Sequence, residues 1–188
     1  MEEIAQLHRR ALDATGRVVA GMSASQFELA TPDADWDVRA LLNHLIAGNL
    51  WAAELAAGGT IEQVGDRLDG DVIGTEPASA YDRSAAAAAA AFEAPGALAA
   101  PCAVSYGPVP GEVYAGHRFM DVLIHGWDLA EASGQDTTLD PALVKACLEV
   151  VEPQVEAFRA AGAIGPAVPA APEADPQTRL LALLGRRS

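Results

Sequence analysis

From Glu2 to about Met22, the apolar residues Ile4, Leu7, Ala11, Ala14, Val18 and Met22 recur at three- and four-residue steps, while Arg9, Arg10, Asp13 and Arg17 fall between them. That spacing predicts an amphipathic helix with its polar face toward water. After a loop containing Thr31-Pro32-Asp33, either Asp35 or Asp37 is placed to cap a second helix, which runs to about Ala57 before Gly58-Gly59 and carries Leu41, Leu42, Leu45, Ile46, Leu50 and Leu55. Residues 58 to 76 read as a connecting loop with a short helical turn around Ile61 to Val64. Pro77 then stands where a first-turn proline belongs, and the alanine run Ala85 to Ala91 has the highest helix propensity in the chain, so the third long helix is expected over 77–93. Tyr81 and Phe92 give that run bulk, and its small side chains allow close helix contact.

Between Pro95 and Gly111 lie four prolines and three glycines, which predicts an irregular connection with Val104 and Tyr106 as its strand-like positions. A fourth long helix is expected from near Glu112 to about Ala132, ended by Ser133-Gly134. A fifth follows the Asp140-Pro141 cap over 141–161, with a kink at Pro153. After a Pro- and Ala-rich stretch, Asp175-Pro176 caps a last short helix that stops at Gly185. The expectation is an all-α single domain over 1–188, a four-helix bundle with an additional C-terminal helix and a Pro/Gly-rich connection.

Composition narrows the function. A formal charge of -14, from 26 acidic and 12 basic side chains, repels a phosphate backbone and argues against nucleic-acid binding. Cys102 and Cys147 are far apart and form no C-x-x-C pair, which excludes a disulfide framework and a cysteine-rich zinc site. Cys147 falls among Leu143, Leu148 and Val151 and reads as a buried inert thiol. Cys102 reads as a loop residue open to solvent, with no neighbouring cation to activate it. No signal sequence or membrane-spanning run is seen, so a cytoplasmic protein is expected, with a homodimer left open.

The histidines are more informative. Asp121 and His125 are four residues apart, roughly 40° on a helical wheel, so their side chains stack one turn apart. His44 shares a stripe of the second helix with Leu41, Trp51 and Leu55, and Gly48 one turn on leaves room beside it. Two helices of one bundle could thus present two imidazoles and a carboxylate to one divalent ion, with a further coordination position left open. Zinc suits that set, as would nickel, iron or manganese. An ordinary hydrogen-bonded His–Asp pair is the alternative. His117, one turn before Asp121, is either a wall of the site, a proton acceptor or an added ligand. Asp128 is placed to accept an imidazole N–H, to touch the ion, or to end the helix in solvent. Trp51 and Trp127 flank the site as core and pocket wall, with Trp51 a candidate for cofactor contact. His8, beside Arg9 and Arg10, is expected to be solvated.

The segment Trp36–His44 (WDVRALLNH), together with Asp121–Ala130 (DVLIHGWDLA), resembles the mycothiol-dependent maleylpyruvate isomerase N-terminal family, within the DinB-like/YfiT-like superfamily of metal-binding four-helix bundles. The segment Asp175–Gly185 (DPQTRLLALLG) is similar to the closing stretch of its single-domain actinobacterial members. The resemblance implies that His44, Asp121 and His125 hold a divalent metal, most often zinc. It also implies a cytosolic enzyme, a transferase or isomerase, that activates mycothiol or a related small thiol toward an electrophilic substrate. Two departures count against maleylpyruvate isomerase activity itself: the isomerase has Glu where Asp121 stands, and it has a further C-terminal domain for which this chain leaves no room. A non-catalytic metal- or ligand-binding module is the competing expectation.

Overall fold

The computed structural model describes residues 3–34 and 36–187. Its elements in chain order are α1 (Ile4–Gly21), a 3₁₀ turn (Ala24–Gln26), α2 (Val38–Ala56), α3 (Ile61–Val64), α4 (Pro77–Glu93), β1 (Pro101–Cys102), β2 (Val109–Pro110), α5 (Gly111–Ser133), α6 (Pro141–Val151), α7 (Val155–Ala160) and α8 (Pro176–Leu183). The four expected long helices of the bundle and the last short helix are present, with α4 spanning the predicted residues. Glu2 and Asp35, at the predicted edges of the first two helices, lie outside the described residues. Asp37 caps α2 by accepting from the Ala40 amide at 2.8 Å.

The chain divides into two compact units, Met1–Asp136 and Thr137–Ser188. In the first, α1 packs on α4 and α5, and α2 packs on the same two helices, which makes a four-helix bundle. The direction of each helix follows from its contacts. Thr15 and Val18 of α1 bond Val122 and Gln135, so α1 and α5 run parallel. Leu12 meets Tyr81, and Arg9 meets Glu93, so α1 and α4 run antiparallel. His44 and Asn49 of α2 meet Asp121 and Arg118, which makes α2 antiparallel to α5 and hence parallel to α4. Parallel neighbours need a long crossover, and residues 57–76 supply it by running back along α2. Asn43 holds that return on both sides, donating to the Gly70 carbonyl and accepting from the Val72 amide, each at 2.9 Å. The crossover is therefore tied down one residue from His44.

Small residues set the spacing of the bundle. Ala88 and Ala89 are buried on the inner face of α4 between Tyr81 and Phe92. At Gly126 a β-carbon would collide with the Thr15 side chain, so only glycine allows this approach of α1 and α5.

Several expectations need correction. The buried face of α1 is Ala5, Leu7, His8, Ala11, Leu12, Thr15 and Val19, so Leu7 and Ala11 lie on it as predicted, whereas Ile4, Ala14, Val18 and Met22 sit at its margins, and His8 is completely buried instead of solvated. Position in the heptad-like spacing outweighs polar identity there. The strand pairing joins Pro101–Cys102 to Val109–Pro110, whereas Val104 and Tyr106 lie in the turn between them. That pairing turns Cys102 inward, so it is buried instead of exposed, and burial pushes its thiol up. In the second unit, α6 packs on α8. Pro153, which has no N–H to donate, breaks the predicted fifth helix into α6 and α7 instead of kinking it. Cys147 is buried, as expected, with its thiol pushed up to about 12 by burial.

His8 carries a pH dependence. Burial, then the charges of Arg118 and Arg9, lower its pKa from 6.5 to about 3, against the smaller opposing pull of Asp121 and Glu93. The unfolded chain therefore takes up a proton at this residue below pH 6.5 while the native state stays neutral. Stability from this residue is full above pH 6.5 and falls toward pH 3, by at most ~1.4 kcal/mol per pH unit. Urea unfolding of His8→Leu should show a smaller loss of stability than wild type between pH 7 and 4.5. Equal losses in the two proteins would rule out a buried neutral imidazole.

Candidate metal centre

The antiparallel seam of α2 and α5 sets His44 opposite Asp121. The His44 Nε2 lies 3.2 Å from Asp121 Oδ1, and His125 Nε2, one turn along α5, lies 3.5 Å from the same oxygen. These three side chains form one cluster of potential metal donors. The ring planes of His44 and His125 are nearly perpendicular, with centroids 5.1 Å apart, so the two imidazoles converge edge to face.

Two of the three are held from behind by hydrogen bonds. His125 Nδ1 lies 3.0 Å from Asp128 Oδ2, and Asp128 is fully buried. With the carboxylate as acceptor, Nδ1–H donates, and the tautomer leaves the Nε2 lone pair facing Asp121. Burial of Asp128 against the ring removes the alternative of a helix-end residue in solvent. The other carboxylate oxygen of Asp121, Oδ2, accepts from Arg118 Nη1 at 2.8 Å. Burial, the largest single influence, would raise the Asp121 carboxyl, but Arg118, His125 and His44 together outweigh it, and the group sits well below the usual carboxylate range. Asp121 is therefore ionised across the physiological range.

Sequence reasoning passed over three residues of this centre. Trp36 lies against His44, with ring centroids 4.6 Å apart and planes tilted by 31°, and it also borders His125. It precedes the α2 cap by one residue, so its position follows from the helix start. Arg118 is buried in the seam, its Nη2 bonding Asn49 Oδ1 at 3.3 Å. A β-carbon at residue 48 would meet that guanidinium at 2.5 Å, so the room beside His44 expected from Gly48 is filled by Arg118. The i, i+3 spacing of Arg118 and Asp121 was the available signal. Asp33, from the loop before α2, forms a second donor group with His125 and Asp128.

His117 and Trp51 lie further along the seam. His117 Nδ1 is 2.7 Å from the Tyr106 hydroxyl, and His117 is not a member of either donor group. Trp51 lines a groove of about 310 Å³ with Leu55, Ile61, Val104, Tyr106 and Tyr114. Trp127 is buried in the core.

Residues 8–130 match the family model of the mycothiol maleylpyruvate isomerase N-terminal domain. The chain belongs to this family. The matched region contains α2 and α4 whole, most of α1 and α5, and every residue of the centre. Two curated relatives are uncharacterised proteins of Mycobacterium tuberculosis, from strains H37Rv and CDC 1551 / Oshkosh. Each is 38% identical over 184 residues, covering 95% of both chains. Two crystal structures share the fold, those of mycothiol-dependent maleylpyruvate isomerase and of a His-to-Ala mutant of it. Both have a TM-score of 0.64, at 17% and 16% identity, and the match covers 82% of this chain and 68% of theirs. The all-α, DinB-like bundle expected from the family resemblance is the fold observed. Among the described residues, no helix is long and apolar enough to cross a membrane.

The Arg118–Asp121 pair has a measurable consequence. Replacing Asp121 by Asn keeps the shape but leaves a buried guanidinium without its anion. In chelator-treated protein, Asp121→Asn should lose ~2–4 kcal/mol of unfolding free energy, at the lower end of the effect of breaking a buried pair because Asp121 is partly exposed. No loss in urea titrations would show that the pair is not formed in solution.

Proposed function

We propose that this family member binds one divalent transition metal, zinc by its donor set, through His44, Asp121 and His125, and that it is a transferase or isomerase using a small thiol of the mycothiol type. The observation that carries the metal reading is the spacing of the donors. Ligands about 2.0–2.1 Å from a tetrahedral zinc stand ~3.3–3.4 Å from one another. The oxygen of Asp121 stands 3.2 and 3.5 Å from the two imidazole nitrogens. With Nδ1–H of His125 committed to Asp128, its Nε2 lone pair faces a carboxylate oxygen, an arrangement that a cation between them relieves. Two imidazoles and a carboxylate leave a further position for an exogenous ligand, the composition of catalytic zinc sites.

A divalent ion at such a position lowers the pKa of a coordinated thiol and thereby supplies a nucleophile at neutral pH. The chain's own residues do the rest. Asp128 fixes the tautomer of His125, and Trp36 covers the His44 ring. The proton leaving the thiol needs an acceptor, for which His117, oriented by Tyr106, is the candidate. The apolar wall around Trp51 suits the carbon skeleton of an electrophile with an activated double bond, to which the sulfur lone pair would form the new S–C bond as the π pair opens onto the neighbouring carbon, which would take up the proton held by His117. The family's name supports mycothiol as the thiol, and the uncharacterised mycobacterial relatives leave the electrophile to experiment.

Coordination would tie α2 to α5 and favour the native state. Chelator should therefore lower the melting temperature of the wild type and leave that of His44→Ala unchanged. Equal responses would remove the case for a site that depends on His44. The functional test is optical: cobalt-loaded wild type titrated with mycothiol should develop a thiolate-to-cobalt charge-transfer band, and His125→Ala should not. A fully loaded wild type that gives no band would exclude thiol chemistry and favour a non-catalytic metal- or ligand-binding module.

A further inference from the structure

The guanidinium of Arg118 is an unusual neighbour for a cation site. It is 7% exposed, it donates to Asp121 Oδ2 at 2.8 Å, and it stands over the bare backbone of Gly48. Its second amino group donates to Asn49 Oδ1 at 3.3 Å. Asn49 Nδ2 then donates to Ser84 Oγ at 3.3 Å, and Ser84 Oγ donates to the Tyr81 carbonyl at 2.8 Å. Asn49 and Ser84 are themselves buried. This chain of bonds runs from α4 through α2 to α5 and holds both amino groups of the guanidinium, toward Asp121 and Asn49. Water cannot screen it well at this depth.

We propose that Arg118 determines the class of ligand this centre accepts, selecting a negatively charged donor such as a thiolate over a neutral one. The inference rests on the metal reading above. Asp121 is the only anion in the donor set, and Arg118 cancels its charge. A dication held by two neutral imidazoles and a charge-matched carboxylate keeps part of its double charge uncompensated, because Asp128 offsets it only from behind the His125 ring. An incoming anion then supplies what the protein withholds, while a neutral donor does not. Arg118 also occupies Oδ2, which leaves Oδ1 alone facing the imidazoles and restricts Asp121 to one contact. Arg118 is thus a positioning residue, acting through Asp121 and not by contact with the reacting atoms. It weakens the protein's own hold on the cation and strengthens the hold on an exogenous anion.

Those opposite effects make the test. Zinc affinity is measured by competition with a chromogenic chelator, and anion affinity by azide and 2-mercaptoethanol titration of the cobalt-loaded protein, followed by its visible and near-ultraviolet spectrum. Arg118→Met should bind zinc more tightly by on the order of 10-fold, the effect of a unit charge near a dication even at the dielectric of water, and should bind azide and the thiolate of 2-mercaptoethanol more weakly by roughly 3-fold or more, since each carries one unit of charge. Arg118→Lys, which keeps the charge, should stay close to wild type in anion affinity. Asn49→Asp places a compensating charge beside the guanidinium without removing it and should shift both affinities in the same directions as Arg118→Met. It carries the test if Arg118→Met does not fold. Parallel losses of zinc and anion affinity in Arg118→Met and Asn49→Asp would reduce Arg118 to a structural prop, and unchanged affinities would show that its charge does not reach the site. Either result overturns the inference while leaving the metal reading intact. A wild type that binds no zinc overturns both.

Discussion

The ion pair between Arg118 and Asp121 is the constraint around which the bundle is arranged. A guanidinium loses a large hydration energy when it leaves water, and the site must return it through charge and hydrogen bonds. Asp121 supplies the charge, Asn49 supplies the second acceptor, and Gly48 supplies the volume. Each of these contributions dictates something else. Asn49 has to be oriented, which Ser84 of α4 does from across the core. Gly48 has to lie opposite Arg118, which sets the antiparallel register of α2 against α5. That same register carries His44 to Asp121, so the geometry of the candidate centre and the burial of the arginine are one structural fact.

Helix spacing is the second requirement, and small side chains meet it. The contact of Thr15 with Gly126 brings α1 onto α5 next to His125, and the alanines of α4 allow Tyr81 and Phe92 to fill the remaining core. The parallel relation of α2 and α4 then demands the long crossover, which Asn43 pins beside His44. Polar side chains inside this bundle are therefore concentrated where elements must be held in register. His8 is the exception. Both of its ring nitrogens lack a partner among the described residues, and its ring packs edge-on against Phe92 at 5.2 Å. Its neutrality is what makes that burial tolerable.

The division of labour at the centre follows from which atoms are already engaged. His125 has one nitrogen on Asp128, and Asp121 has one oxygen on Arg118, so each offers a single remaining atom toward His44. A carboxylate restrained in this way is a different ligand from a free one, in charge as well as in direction. The aromatic groups divide similarly: Trp36 borders the two imidazoles, while Trp51 belongs to the apolar groove further along the seam.

Helical periodicity and proline and glycine punctuation determined the type and approximate limits of the four helices of the bundle, because those signals are local and repeat every turn. The i, i+4 spacing of Asp121 and His125 likewise placed two of the clustered side chains on one face, and the i, i+3 step to Asp128 anticipated the bond that holds His125. What spacing within one helix cannot supply is the partner from another. The convergence of His44 on Asp121, the stacking of Trp36 and the filling of the space over Gly48 by Arg118 depend on the register of α2 against α5, which is decided by packing across the core. His8 and Cys102 were misjudged for the same reason. Each has polar or loop-like surroundings in sequence, and each is buried because the elements carrying it turn that side chain toward neighbours distant in the chain.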